Sequence, residues 1–296
     1  LGFGPFISTA LEQGSQYMGI APSFVRRGSP AEAAGLRRGD IIYAVNGIPL
    51  TTSNYYNYMT SLYQGPSGAY KFSFGRFEDN GNGGYVLNTY DSGTAVAQPH
   101  TYDPVLHASV LADPDDPSVK IGYMVYESFD LNSQDILEQT IAEFSAAGIT
   151  ELILDLRFNV GGEVQQSRYL ASSIVGRSYD DQVFFKAKFR DGKIEEWPFR
   201  SGPSESDVLG VAPAMNLNRL WVIMSENTAS ASELIINALK GVDFPVTLIG
   251  SQSEGKNVGM EVSETTYNGR RFQFSPVTFW VRNAKDFGDY PDGIQP

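Results

Sequence analysis

Apolar positions in this chain change their spacing from one third to the next. Over residues 1 to 78 they fall in short runs cut by glycine and proline. Phe6-Ile7, Met18 with Ile20, and Phe24-Val25 read as strand fragments, and Ile41 to Val45 as a strand between the Arg38-Gly39-Asp40 and Asn46-Gly47 turns. Pro30 to Ala34 predicts a short helix ended by Gly35. Asn54 to Tyr63 places Tyr55, Tyr58, Met59 and Leu62 at helical spacing, and Tyr70, Phe72 and Phe74 alternate as a closing strand. Residues 79 to 117 lie between two breaker clusters, Asp79 to Gly84 and Asp113 to Pro117. They predict a connecting segment with strand character at Val86-Leu87 and Val105 to Leu111.

From residue 118 onward strands and helices alternate. Ile121 to Tyr126 predicts a strand. Asn132 is placed to cap a helix, with Asp135 three residues on as a partial capping box. Leu137, Ile141 and Phe144 mark that helix's buried face and Gly148 its end. Leu152 to Leu156 is apolar but for Asp155, the pattern of a strand covered on both faces. Arg157 to Gly162 turns the chain into a helix from Glu163 to Val175, stopped by Gly176. Residues 181 to 200 return to strands, with Asp191-Gly192 as a hairpin turn. Leu220 to Met224 and Val246 to Ile249 complete the apolar strands, and Met260 to Thr266 and Arg270 to Phe274 flank Asn268-Gly269, a hairpin signal. The β-α-β-α order implies an α/β fold, a parallel or mixed sheet layered with helices, behind a smaller β-rich unit.

Composition narrows the chemistry. The net charge of −12 disfavours phosphate backbones and therefore nucleic acid. With no cysteine there is no thiol catalysis, disulfide or cysteine-bound metal, and two histidines, His100 and His107, cannot build a histidine-rich metal site. No run of 18 apolar residues is present, and Leu1 to Thr9 lack the charged start of a signal peptide.

One stretch organises the rest, Asn227-Thr228-Ala229-Ser230-Ala231-Ser232-Glu233. It joins the strand Leu220 to Met224 to a helix carrying Leu234, Ile235, Ala238 and Leu239, closed by Gly241. A serine at that junction reads either as an N-cap or as a nucleophile set among free backbone N–H groups at the positive end of a helix. With so few histidines, a serine enzyme of this composition leaves lysine as the base. A lysine works as one only if its pKa falls from about 10.4 to about 7–8.

Two resemblances weigh on that choice. Gly28-Ser29-Pro30-Ala31-Glu32-Ala33-Ala34-Gly35-Leu36-Arg37-Arg38-Gly39-Asp40-Ile41-Ile42-Tyr43-Ala44-Val45-Asn46-Gly47 resembles a PDZ domain. Such domains add a peptide strand to a sheet edge, and Gly2-Phe3-Gly4 looks like the loop that would receive the peptide's carboxylate. Behind it, Leu154 to Gly162, Thr228 to Glu233 and Gly255-Lys256-Asn257-Val258-Gly259 together resemble the C-terminal (tail-specific) processing proteases, peptidase family S41.

The resemblance implies a crotonase- or ClpP-like catalytic domain over residues 118–296, a PDZ-like domain over 1–78 and a connecting segment over 79–117. It implies Ser230 as nucleophile and Lys256 as general base, with an oxyanion hole from the N–H of Ala231 and of Gly161 or Gly162. No metal or cofactor is implied. Substrates would be proteins or peptides with free C-termini, cleaved through an acyl-enzyme in the periplasm or elsewhere outside the cytoplasm by an exported or lipid-anchored protein. Oligomeric state is left open, a homo-oligomer included. The pattern departs at Met260, where the family carries a glutamine that orients the lysine. Two other readings accompany this one: a peptide-binding protein with an inactive protease-like domain, and a Ser-Lys esterase or amidase on small substrates.

Overall fold

A computed structural model describes residues 1–4, 6–99, 102–200 and 213–296, and the chain parts between Tyr102 and Asp103 into two units. The first holds β1 (Phe6–Ala10), β2 (Met18–Pro22), α1 (Pro30–Ala33), β3 (Ile41–Val45), β4 (Ile48–Pro49), α2 (Tyr55–Gln64), β5 (Ala69–Tyr70), β6 (Phe72–Asp79), β7 (Tyr85–Asp91) and β8 (Ala95–Val96). Its antiparallel sheet runs β1-β2-β3-β6-β7, with β4 on β3, and β5 pairs with β8. Ile20, Ile42, Val45, Phe72 and Phe74 share a core with Leu36, Leu50 and Leu62. The helix α1 starts where expected, because the Ser29 hydroxyl accepts the Glu32 N–H and Pro30 fills the first turn. Arg76 clasps the buried Asp40 carboxylate through two nitrogens, at 2.6 and 2.8 Å, and so ties the start of β3 to β6.

Two expectations change here. Phe24-Val25 forms no strand; Val25 makes a single bridge to Phe3. Residues 79–117 are not a separate connector. Asp79 to Gly84 is the turn of the β6–β7 hairpin, and Val86-Leu87 belong to β7 in the first unit, while Val105 to Leu111 lie in the second. Glycine- and aspartate-rich turns look alike whether they join strands of one sheet or join two domains.

The second unit holds β9 (Val105–Ala112), β10 (Lys120–Tyr126), α3 (Gln134–Ala147), β11 (Glu151–Asp155), α4 (Val164–Val175), β12 (Val183–Phe189), β13 (Ile194–Pro198), β14 (Arg219–Met224), α5 (Ala231–Gly241), β15 (Val246–Gly250), β16 (Val258–Met260), β17 (Ser263–Tyr267), β18 (Arg270–Phe274) and β19 (Val277–Arg282). One sheet runs β15-β14-β11-β10-β9, parallel from β15 to β10 and antiparallel only at the β9 edge. Its central strands β11 and β14 are the apolar runs read from the sequence, and Leu152, Leu154, Leu220 and Val222 are fully buried. A second sheet, β13-β12-β19-β16, is antiparallel, and β17–β18 stands as its own two-stranded hairpin.

Asn132 is not the cap expected of it. Asp130 accepts the Asn132 N–H and opens a 3-10 turn, Leu131–Ser133, that leads into α3. Gly148 ends α3 in the left-handed conformation, as its position predicts.

Candidate active site

The strand β14 delivers the chain into a turn, Ser225 to Ala229, that is stitched to the segment following β11. The Thr228 hydroxyl donates to the Leu156 carbonyl (2.8 Å) and the Ser225 hydroxyl to the Arg157 carbonyl (2.6 Å). The Ala229 N–H and the Ser232 hydroxyl both donate to the Asn159 carbonyl, at 3.1 and 3.0 Å. Of the three serines in and after this turn, two therefore have their hydroxyl protons engaged. The Ser230 hydroxyl donates to no partner among the described residues, and Ser230 lines a cavity of about 430 Å³.

Ser230 sits at φ +55°, ψ −114°, a conformation that L-residues avoid and that costs on the order of 1–3 kcal/mol. Its surroundings hold it there. The Ser230 N–H donates to Glu233 Oε2 (2.9 Å), one half of a capping box, and its carbonyl accepts the Leu234 N–H (2.8 Å). From the other side Gly161 presses so close that a Cβ there would lie 2.7 Å from the Ser230 Cβ.

Glu233 is fully buried and accepts four hydrogen bonds. Besides Ser230 the donors are the Ser253 hydroxyl (2.5 Å), the Gly255 N–H (2.7 Å) and the Lys256 N–H (2.8 Å). One carboxylate thus fixes the backbones of Ser230 and Lys256, which are far apart in sequence. Its charge is met by these donors and by the N-terminus of α5, in whose first turn it lies. It also acts on Tyr290, whose phenol is pushed up mainly by burial and next by the charge of Glu233.

Lys256 belongs to the loop after β15 and lines the same cavity as Ser230. Among the described residues its ammonium has neither a hydrogen bond nor an ion pair. Gly255 is required beside it: φ is +99°, and a Cβ there would meet the Pro291 carbonyl oxygen at 2.3 Å. Met260, 44 % exposed, lines the cavity where an amide was expected, and Glu261 lines it too.

The two glycines of the second motif differ in what their N–H groups do. The Gly161 N–H donates to the Asn159 side-chain oxygen at 2.9 Å. The Gly162 N–H has no acceptor among the described residues, nor has that of Ala231 at the first position of α5. Gly162, Ala231 and Ser230 all line the cavity. Gly162 is held at φ +137° against the Phe129 carbonyl, with 2.1 Å to a notional Cβ, so no other residue fits there.

Asp155 and Arg157 brace this turn from below. Asp155 is buried and takes two nitrogens of the Arg157 guanidinium, the shorter contact being 2.6 Å, and the Tyr123 hydroxyl at 3.2 Å. The hydrogen bond with Asp155 raises the Arg157 pKa, and burial followed by the charge of Asp155 raises that of Tyr123. His107 lies on β9, pairs with Ser109 at 3.0 Å and does not line the cavity; His100 lies outside the described residues.

In the first unit the Gly2-Phe3-Gly4 segment is partly committed. Phe3 is buried in the core, the Gly4 N–H donates to the Phe24 carbonyl (3.3 Å), and the Gly2 carbonyl accepts from Arg26 (2.8 Å). The N–H groups of Gly2 and Phe3 have no acceptor among the described residues. The segment leads to β1, the edge strand of its sheet, and Tyr63 of α2 lies against Gly4.

The positioning roles of Glu233, Asn159 and the Asp155–Arg157 pair were not read from sequence. For Glu233 a signal existed, the S-x-x-E spacing of a capping box from Ser230. For Asn159 the signal was partial: its side chain takes the Gly161 N–H two residues on, a local turn contact, while its carbonyl's bonds from Ala229 and Ser232 cross between elements.

Comparison with known proteins agrees with this architecture. The model of peptidase family S41 matches residues 120–296, and a PDZ domain model matches residues 24–60. The carboxyl-terminal-processing peptidase 1, chloroplastic, of Arabidopsis thaliana is 28 % identical over 239 residues, 80 % of this chain and 43 % of that protein. The carboxyl-terminal-processing protease of Synechocystis is 27 % identical over 235 residues, 78 % of this chain and 48 % of its own. The chain thus spans about half the length of the curated relatives it matches. A solved structure described as a putative S41 protease from Bacteroides fragilis superposes with a TM-score of 0.81 at 24 % identity, covering 100 % of this chain and 74 % of that one. The photosystem II D1 C-terminal processing protease gives 0.52 at 21 %, covering 100 % and 71 %. At these identities the likeness is one of fold.

Proposed function

Because the chain belongs to peptidase family S41, we propose that it is a serine endopeptidase working by a Ser-Lys mechanism on protein substrates held by their C-termini. The observation that carries this is Ser230. It is strained at a strand-to-helix turn and shares a cavity with Lys256, Gly162 and Ala231, and among the described residues its hydroxyl proton and the N–H groups of Gly162 and Ala231 have no acceptor.

The steps follow from those groups. Neutral Lys256 takes the Ser230 hydroxyl proton as Oγ attacks the scissile carbonyl. The oxyanion forms against the Gly162 and Ala231 N–H groups, where losing one such donor typically costs about 10²–10³ in kcat. The Lys256 ammonium then protonates the leaving amine, and the acyl-enzyme remains on Oγ. Water attacks that ester with Lys256 again accepting the proton, and Ser230 is restored. Gly161, its N–H held by Asn159, shapes the turn and does not donate.

We read the first unit as the capturing module. Among the described residues β1 pairs only with β2, and we read its other edge as the place for a peptide strand, with the Gly2 and Phe3 N–H groups before it as the receptor for a carboxylate. The layering of the second unit we read as crotonase- or ClpP-like. By the family resemblance its place is outside the cytoplasm. Met260 in the position of an orienting amide favours the alternative, a peptide-binding protein with an inactive catalytic domain.

A fluorophosphonate separates the two readings. The wild-type protein should be labelled on Ser230, Ser230→Ala should not be labelled, and Lys256→Ala should be labelled far more slowly. Ser230→Ala should unfold within about 1 kcal/mol of wild type, as expected of a change that leaves no core defect. No labelling of folded wild-type protein would establish the inactive reading.

A further inference from the structure

The cavity beside Ser230 has a composition of its own. One side is the face of the second sheet on which Phe185, Ala187 and Phe189 alternate along β12. Leu234 of α5 closes it opposite, and Phe279 and Val281 of β19 continue the sheet face. The Phe279 ring is packed between aromatic neighbours, 6.2 Å from Phe185 and 5.5 Å from Phe189 between centroids. The polar residues of the lining are Ser230, Lys256, Gln165, Ser275 and the acidic Glu163, Glu195 and Glu261, and the Gln165 Oε1 is buried with no partner among the described residues.

Phe189, Phe279 and Gly259 form one cross-strand row, Phe189 paired with Phe279 and Phe279 with Gly259. Gly259 lies on the edge strand β16 and its missing side chain is what the ring uses. A Cβ on Gly259 would stand 2.0 Å from the Phe279 Cζ and 2.2 Å from Cε2. The ring therefore lies over the β16 backbone. No left-handed backbone angle calls for glycine at this position. The space for the ring is what calls for it.

We propose that this cavity binds the side chain of the substrate residue that supplies the scissile carbonyl, that it selects a large apolar side chain there, and that Gly259 and Phe279 set its depth. The proposal rests on the reading of Ser230 as the nucleophile. The nearest side chain to the attacked carbonyl is that of its own residue, and the cavity opens at Ser230. A wall of phenylalanine, leucine and valine rewards each methylene it covers. Glu163 and Glu261 in the lining, beside a Glu195 paired with Lys193, oppose an acidic side chain.

Peptidyl diphenyl phosphonates with alanine, leucine, phenylalanine or aspartate at that residue provide the test. They react with the nucleophile directly, and the adduct is located by mass spectrometry. On the wild-type protein the leucine and phenylalanine reagents should react on the order of 100-fold faster than alanine, and aspartate slowest. Gly259→Ala should push the Phe279 ring into the cavity and cut the leucine-to-alanine ratio at least about tenfold. Phe279→Leu makes the complementary test and stands alone if Gly259→Ala does not fold: it deepens the cavity and should raise the phenylalanine-to-leucine ratio. Reaction at Ser230 with alanine as fast as leucine, or ratios unmoved by both substitutions, overturns the inference while leaving the nucleophile in place. Failure of every reagent to modify Ser230 instead overturns the reading on which it rests.

Discussion

Replacing Glu233 by glutamine isolates the charge of the carboxylate from its shape. Four donors converge on the two oxygens: Ser230 and Lys256 N–H on Oε2, Gly255 N–H and the Ser253 hydroxyl on Oε1. A glutamine has one oxygen to offer. Placed at Oε2 it keeps Ser230 and Lys256, and its NH₂ then faces the Oε1 donors. Ser253 can reverse and accept, because its oxygen takes only the Ile294 N–H otherwise. The Gly255 N–H cannot reverse. One buried donor is left unpaired, at about 1–3 kcal/mol, and the bonds that remain lose their charge assistance, so the loss sums to about 2–4 kcal/mol. All three tryptophans, Trp197, Trp221 and Trp280, lie in the second unit, so tryptophan fluorescence in a urea titration reads that unit alone. Labelling by a fluorophosphonate, measured on the same protein below its transition, should slow by at least about 100-fold if Ser230 and Lys256 lose their common anchor. A Glu233→Gln variant with an unchanged urea midpoint and labelling within twofold of wild type would refute the claim that this carboxylate holds the pair.

Lys256→Arg should be as inactive as Lys256→Ala in peptide hydrolysis, because a guanidinium stays protonated at any workable pH; near-wild-type turnover would require another base. Peptides ending in a free carboxylate should bind the first unit more tightly in calorimetry than the same peptides as amides, and equal affinity would count against carboxylate capture. Burial raises the phenols of Tyr290 and Tyr169 above their ordinary value, so the folded form binds these protons more tightly than the unfolded chain. Their contribution is fully present below about pH 10 and is lost as the pH rises beyond it. In Tyr290→Phe the alkaline fall in urea midpoint should therefore be shallower than in wild type, and an identical slope would contradict it.

The apolar strands β11 and β14, the helices α3 to α5 and the Asn268-Gly269 hairpin were legible because each keeps one period along its length and ends on a glycine or a turn pair. The strand β16 was not, since three residues carry no period, and β19 follows Pro276 in a stretch whose partners β12 and β16 lie elsewhere in the chain. That omission had consequences for the site. The row Phe189–Phe279–Gly259 exists only once β19 is placed between β12 and β16, so the side-chain cavity had no trace in the local pattern. The serine turn and the two-glycine turn were legible as small-residue junctions between strand and helix. Which glycine N–H lacks an acceptor among the described residues was not, because it depends on Asn159 turning its side chain back onto Gly161.

A lysine on a loop makes a poor general base unless something fixes its distance from the serine, because effective catalysis needs reacting atoms in near-attack geometry. Here the fixing is done away from the ammonium, through the backbone. Glu233 stands one helical turn after Ser230 and reaches the N–H groups on both sides of the Gly255–Lys256 peptide. Ser253 adds a second tie, donating to Glu233 and accepting from Ile294. Gly255 adds a third, packed on the Pro291 carbonyl in a conformation only glycine takes without strain. Among the described residues the side chain of Lys256 has neither a hydrogen bond nor an ion pair, while its N–H is fixed on Glu233. The same division applies to Ser230, whose main chain is strained and bonded while its hydroxyl proton has no acceptor among the described residues. Since both constraints end on one carboxylate, a substitution at Ser253 should act through Glu233. Ser253→Ala should slow phosphonate labelling while preserving the preference between leucine and alanine reagents. A change in that preference would place Ser253 in the substrate cavity instead.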